Sequence, residues 1–262
     1  MVTDFATRGW AEFVPEPATR DWAQHAHRDA GRAVADPDLA HWFQCQKTWF
    51  VGLEALDNDS AGRVGSSAPL SGQAVDFIAK HCGGWPPLHR AQISVVYPGY
   101  PKRRSGESDA AARYRHDRDA AHVDGILGIG SPKRRFVREP HAFILGLPLS
   151  QADPGAAPLV VWDGSHRIMQ RALGEALTAS GANDLSEVDV TDVYVAARKQ
   201  VFETCPRVEL PGAVGAAVVL HRLSLHGVAP WQPGAQAAPE GRMIAYFRPL
   251  LPGGVRDWIE RD

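Results

Sequence analysis

Beyond Pro87 the chain breaks into short apolar, often β-branched runs, separated by stretches that carry glycine, proline and polar residues. That punctuation excludes a long helical bundle and calls for paired strands. The runs cover 89–97, 143–149, 159–161, 208–210, 216–221 and 243–247. The first, HRAQISVVY, alternates and is stopped by Pro98-Gly99-Tyr100-Pro101. Two helical insertions interrupt the series. One opens at Ser165, a candidate cap, and carries Ile168, Leu173 and Leu177; the other covers 190–202. Before Pro86-Pro87 the chain reads as helix over 17–35, with Trp22 and Ala26 on one face, and over 70–81. Between these, Asp38 is placed to cap a helix through Leu39, Trp42, Phe43, Trp49, Phe50 and Leu53. Helices first and short strands afterwards predict a β-sandwich or jelly roll backed by helices. The 262 residues fit one domain, helical over about 1–86 and β-rich over about 87–262.

Composition narrows the function classes. With 44% hydrophobic and 22% charged residues, the chain has the make-up of a soluble globular protein. A formal charge of -2 gives no reason to expect nucleic acid or an anionic membrane as partner. No apolar run approaches the roughly 18 residues needed to span a bilayer. Met1-Val2-Thr3-Asp4-Phe5 lacks the basic and apolar regions of a secretory signal. Cys45, Cys82 and Cys205 are far apart and odd in number, which suits a reducing compartment, so the cytoplasm is the expected location.

His122-Val123-Asp124 is the sequence's most informative motif. On an extended segment, side chains at i and i+2 point the same way, so an imidazole and a carboxylate converge. The pair forms two thirds of a 2-His-1-carboxylate triad, a donor set that leaves three positions open on Fe(II). The third ligand must be a distant histidine. His226, followed by Gly227 beyond an apolar run, is the preferred candidate, and His221 is its rival. On a short motif alone, a surface His beside an Asp is the plainer explanation. His166 is expected to order the turn at Gly164-Ser165, and His116-Asp117 lacks the required spacing.

Taken together, five segments in order resemble the phytanoyl-CoA dioxygenase-like family of Fe(II)/2-oxoglutarate oxygenases, over roughly 89–250. They are Gln92 to Gly99 (QISVVYPG), His122-Val123-Asp124, PLVVWDGSH from Pro158, His226-Gly227 and Arg242. The resemblance implies a double-stranded β-helix of the cupin-like jelly-roll type. It implies His122, Asp124 and His226 as ligands of Fe(II), with 2-oxoglutarate as cosubstrate and O2 and a small molecule as substrates. Arg242 would bind the far carboxylate of 2-oxoglutarate, for which a planar guanidinium is well suited. Arg248 is the rival, more simply explained as a surface or ion-pair residue. Gln92 and Tyr97 would belong to the cosubstrate pocket. The sequence departs from the family after Gly227, where Val228, Pro230-Trp231 and a Gly- and Ala-rich segment push Arg242 farther away. Trp162-Asp163 also replaces the usual residues before Gly164.

The expected activity is hydroxylation of a small metabolite with release of succinate and CO2. A non-oxidative metal-dependent enzyme on a cupin-like barrel and a catalytically inactive jelly-roll binding protein remain open alternatives. Two basic stretches flank the His-x-Asp motif. Residues 102–120 read as a long loop, and 131–140 as a second, carrying Lys133, Arg134, Arg135 and Arg138. Their ordinary role is solvated surface; their position also suggests an anionic substrate, with Arg134 and Arg135 as its contacts.

Overall fold

A computed structural model describes residues 4–261. In chain order the elements are α1 (Phe5–Arg8), β1 (Trp10–Phe13), α2 (Pro17–Ala35), β2 (Phe43–Gln44), β3 (Trp49–Gly52) and α3 (Gln73–His81). Then come β4 (Gln92–Val96), α4 (Asp109–Asp117), β5 (Ile126–Ile129), β6 (Arg134–Val137), β7 (Phe143–Pro148) and β8 (Leu159–Trp162). The chain closes with α5 (Ser165–Ala179), α6 (Thr191–Thr204), β9 (Arg207–Leu210), β10 (Ala217–His221), β11 (His226–Val228), β12 (Arg242–Phe247) and α7 (Gly254–Glu260). Among the described residues, seven strands form one sheet in the order β1-β10-β7-β12-β4-β3-β2, and three form a second, β11-β8-β9. All the pairings are antiparallel.

The two sheets face each other as a jelly roll, the architecture expected above. Strand alternation sorts their side chains into layers. On β12, Met243, Ala245 and Phe247 join the core under α2 and α3, with Trp22, Ala26, Phe77 and Ile78. Ile244 and Tyr246 point between the sheets and meet Leu159 and Val161 of β8. The outer face of the small sheet, Val160 and Trp162, packs on Leu173 of α5, Val201 of α6 and Trp258 of α7. No described helix is long and apolar enough to cross a membrane.

Several expectations need correction. The N-terminal third is not wholly helical: β1, β2 and β3 all belong to the large sheet. The helix expected through Leu39 to Leu53 is a 3-10 turn, Pro37–Trp42, followed by the β2–β3 hairpin, and its cap is Asp36. Three successive residues, Cys45, Gln46 and Lys47, have φ of 50°, 53° and 65°, a run no helix accommodates. The aromatic stripe therefore alternates. Phe50 enters the helix-covered core, while Trp49 turns toward the space between the sheets. Residues 102–120 are not all loop, because Ser108 caps α4 by accepting a hydrogen bond from the Ala111 N–H. Ser165 lies inside α5, whose cap is Gly164; its hydroxyl oxygen accepts from the Leu225 N–H at 2.9 Å.

Candidate metal centre

The His-x-Asp segment joins the small sheet as a backbone bridge at the edge of β11. The His122 N–H donates to the His226 carbonyl at 2.8 Å, and the His226 N–H donates to the His122 carbonyl at 3.0 Å. This direct pairing of two segments a hundred residues apart places both imidazoles at one point, with ring centroids 4.6 Å apart. Around it, Tyr114 of α4 donates its hydroxyl to the Ala121 carbonyl, and the Tyr194 hydroxyl of α6 accepts from the Val123 N–H. Gly125 ends the segment at φ +84°; a Cβ there would lie 2.0 Å from the Glu139 carbonyl oxygen.

Gly227 explains why glycine follows His226. A Cβ on it would lie 2.2 Å from the Asp119 carbonyl oxygen, where the chain leading into His122 crosses β11. Gly227→Ala is therefore expected to force the two ligand segments apart, with a stability loss of about 1–3 kcal/mol from overpacking. A chemical denaturation series would measure it, and unchanged stability would contradict the crossing.

Ligand-capable atoms of His122, Asp124 and His226 all lie within 4.8 Å of one another. His122 Nε2 is 3.2 Å from Asp124 Oδ1, and His226 Nε2 is 3.7 Å from the same oxygen. Each Nδ1 sits beside a backbone carbonyl, Ala120 at 3.0 Å and Ser224 at 2.9 Å. The proton on each ring belongs on Nδ1, which leaves both Nε2 lone pairs facing the carboxylate. His226 and Asp124 are deeply buried, whereas the His122 side chain is 47% exposed and marks the open side.

Charge at the centre follows from these contacts. Burial alone would raise Asp124, yet the His122 bond and the charges of His226 and Arg248 hold its carboxyl well below the usual range. Burial would lower His122, but its bond to Asp124 and that carboxylate's charge push it above its ordinary value. Burial and the neighbouring His122 take His226 down to about 4. A metal must displace the proton from His122. Metal affinity is thus expected to fall as pH drops through the raised His122 pKa, about tenfold per pH unit below it for one competing proton. Co(II) titrations over a series of falling pH would show this; flat affinity would contradict it.

The triad opens into a cavity of about 240 Å3 lined also by Trp49, Val51, Gln92, Ser94, Ile144, Leu159, Val228, Tyr246 and Arg248. Gln92 is thus brought to the site. Tyr97 is not. It has the opposite parity to Gln92 and Ser94 on β4, so its ring packs with Phe43 against the helix-covered core. His221 is also elsewhere, beside Phe5 and His166.

Arg242 lies on the inner face of β12, buried, with one terminal nitrogen donating to the Ala157 carbonyl. Its other terminal nitrogen, Nη1, is buried without a hydrogen-bond partner, as is the hydroxyl of Tyr100. Each influences the other's ionisation. Arg242 does not line the cavity holding the triad. Tyr246 does, and its phenol interacts electrostatically with both Arg242 and Asp124. Among the described residues Arg242 forms no ion pair, so a buried guanidinium lacks an anion. The donor set of the triad suits Fe(II), and the orphaned Arg242 and Tyr100 groups suit the far carboxylate of 2-oxoglutarate.

Of the two roles expected for Arg248, surface residue or ion pair, the structure gives the ion pair. Arg248 shares the parity of Arg242, Ile244 and Tyr246, and its Nη1 lies 3.2 Å from Asp124 Oδ2. That shared parity on one strand was a usable signal. Trp49, Tyr100 and Tyr246 belong to no motif, and Ser94 lies in the Gln92 to Gly99 segment without a role assigned to it. The expected anion contacts Arg134 and Arg135 are used elsewhere: Arg134 pairs with Asp189, and Arg135 stacks over Tyr194. Arg138 pairs with Glu187 in the same region.

Comparison with solved structures identifies the fold. The chain is similar to SnoK, a non-heme alpha ketoglutarate dependent carbocyclase from nogalamycin biosynthesis, with a TM-score of 0.52 at 12% identity, covering 98% of this chain and 87% of that one. It is similar to EctD from S. alaskensis with bound Fe, with a TM-score of 0.50 at 17% identity, covering 95% and 75%. At such identities the likeness is one of fold, the cupin-type jelly roll of Fe/2-oxoglutarate oxygenases. No family model matches the chain, and no curated protein matches it in sequence.

Proposed function

We propose that the chain is an Fe(II)- and 2-oxoglutarate-dependent oxygenase that oxidises a small molecule. The observation that carries this reading is the meeting of His122, Asp124 and His226 at one point, open on the His122 side. When bound, Fe(II) would activate O2, with 2-oxoglutarate giving up two of the four electrons and leaving as succinate and CO2 and the substrate giving up the other two. The protein's share is to hold and orient. His122, Asp124 and His226 would grip the metal, their Nδ1–H groups tied to carbonyls so that the rings cannot turn away. Arg242 would take the far carboxylate with help from Tyr100, while Gln92 lines the pocket beside Tyr246. The apolar walls Val51, Ile144, Leu159 and Val228 exclude water around the reacting end of the substrate. Hydroxylation is the outcome we assign. All three cysteines are free, in keeping with action in the cytoplasm.

Succinate formed from 2-oxoglutarate tests this directly. Release requiring both Fe(II) and O2 is expected. Activity on a substrate under anaerobic conditions, with Zn(II) in place of iron, would instead favour the non-oxidative alternative.

A further inference from the structure

We propose that Arg248 binds a carboxylate on the substrate, so that the molecule oxidised is a small monocarboxylic acid with an apolar body. This rests on the metal- and 2-oxoglutarate-dependent reading above. Among the described residues lining the cavity, Arg248 is the only lysine or arginine. A guanidinium presents five N–H donors in a planar fork. Asp124 Oδ2 accepts from Nη1, and Nε is buried with no partner. The fork therefore has donors to spare beside the metal centre.

The guanidinium of Arg242, at the start of β12, serves a different end of the site. Arg242 opens β12 and Arg248 directly follows its last residue, six residues and about 20 Å of extended backbone away. They are too widely spaced to share one carboxylate as a matched pair. Arg242, with Tyr100, is the buried and anion-free group suited to the cosubstrate. Arg248 is the half-buried one, next to the ligand Asp124.

Charge counting points to a monoanion. A divalent metal and the two guanidiniums bring four positive charges; Asp124 and doubly charged 2-oxoglutarate bring three negative ones. One positive charge is left over for the site as a whole, and the one guanidinium that lines the cavity, Arg248, faces walls that are otherwise largely apolar, where an uncompensated ion is costly. A carboxylate closes that balance and matches the planar fork; a phosphate dianion overshoots it. The walls Trp49, Val51, Ile144, Leu159 and Val228 then receive the apolar part. The cavity of about 240 Å3 also has to hold the cosubstrate, which keeps the inserted portion small.

Binding without turnover tests this. Protein loaded with Mn(II) and saturating 2-oxoglutarate would be titrated calorimetrically with butanoate, hexanoate and 3-phenylpropionate, with their amides, and with 3-phenylpropylphosphonate. Wild type is expected to bind at least one acid tenfold or more tightly than its amide and more tightly than the phosphonate. Arg248→Gln is expected to bind acid and amide alike, and Arg248→Lys to keep part of the preference. Mn(II) and 2-oxoglutarate binding, and thermal stability, would be measured first on each sample. Wild type that binds both but shows no acid preference overturns this proposal and leaves the oxygenase reading standing. Wild type that binds neither overturns that reading, and this proposal with it. Arg248→Gln or Arg248→Lys that folds and loses 2-oxoglutarate binding makes Arg248 the cosubstrate anchor, which also overturns it.

Discussion

Asp124→Ala is expected to lower metal affinity by more than about a hundredfold, beyond what loss of a merely supporting hydrogen-bond partner costs. Succinate release should fall to background with it. Asp124 Oδ1 is the atom both Nε2 groups face, at 3.2 and 3.7 Å, so its loss leaves two imidazoles with no anion between them. The carboxylate is also what raises His122 against the lowering effect of burial, so the substitution should lower that ring's pKa. Asp124→Asn separates charge from shape. It preserves the side-chain outline and removes the negative charge, and it is expected to fold normally and still bind metal poorly. Metal content after dialysis, with thermal unfolding as the control for folding, measures both. Wild-type metal content in the alanine variant would exclude the triad as the metal centre.

Arg242→Gln carries the second large effect. A charge-assisted bidentate pair in a buried site contributes about 3 kcal/mol, so 2-oxoglutarate should bind about a hundredfold more weakly. The ligand-free protein should lose no stability, because the wild-type guanidinium is buried without a carboxylate. The thermal stabilisation that 2-oxoglutarate confers on wild type should then shrink with affinity. Thermal unfolding with and without the cosubstrate reads both effects. Equal stabilisation of wild type and variant would show that the far carboxylate binds elsewhere.

The sequence exposed the chemistry better than it exposed the barrel's lining. His122 and Asp124 were legible because ligands two apart on a strand need only local geometry. His226 was legible through the glycine after it, and the structure supplies the reason: the crossing beside Asp119 leaves no room for a side chain. Trp49 was hidden because its apolar spacing mimics a helix, and the break at Cys45 to Lys47 lies in backbone angles that residue types scarcely announce. Tyr97 was misplaced for a simpler reason. It sits within a matching segment but directly after β4, with parity opposite to Gln92 and Ser94, facing the helices. Tyr100 and Tyr246 matter through tertiary neighbours, Arg242 and Asp124, that no local pattern encodes. The basic stretch at 133–138 looked poised for an anion only because Asp189 and Glu187, its actual partners, lie some fifty residues away.

The central claim is that one metal and one 2-oxoglutarate share the His122–Asp124–His226 centre. Anaerobic addition of Fe(II) and then 2-oxoglutarate to metal-free protein, followed by visible absorption, tests it most directly. A weak visible band that needs both additions, saturates at one iron per chain and is absent in His226→Ala is the expected result. A wild-type protein that binds iron yet develops no band with 2-oxoglutarate, or gives the same band in His226→Ala, would contradict the account.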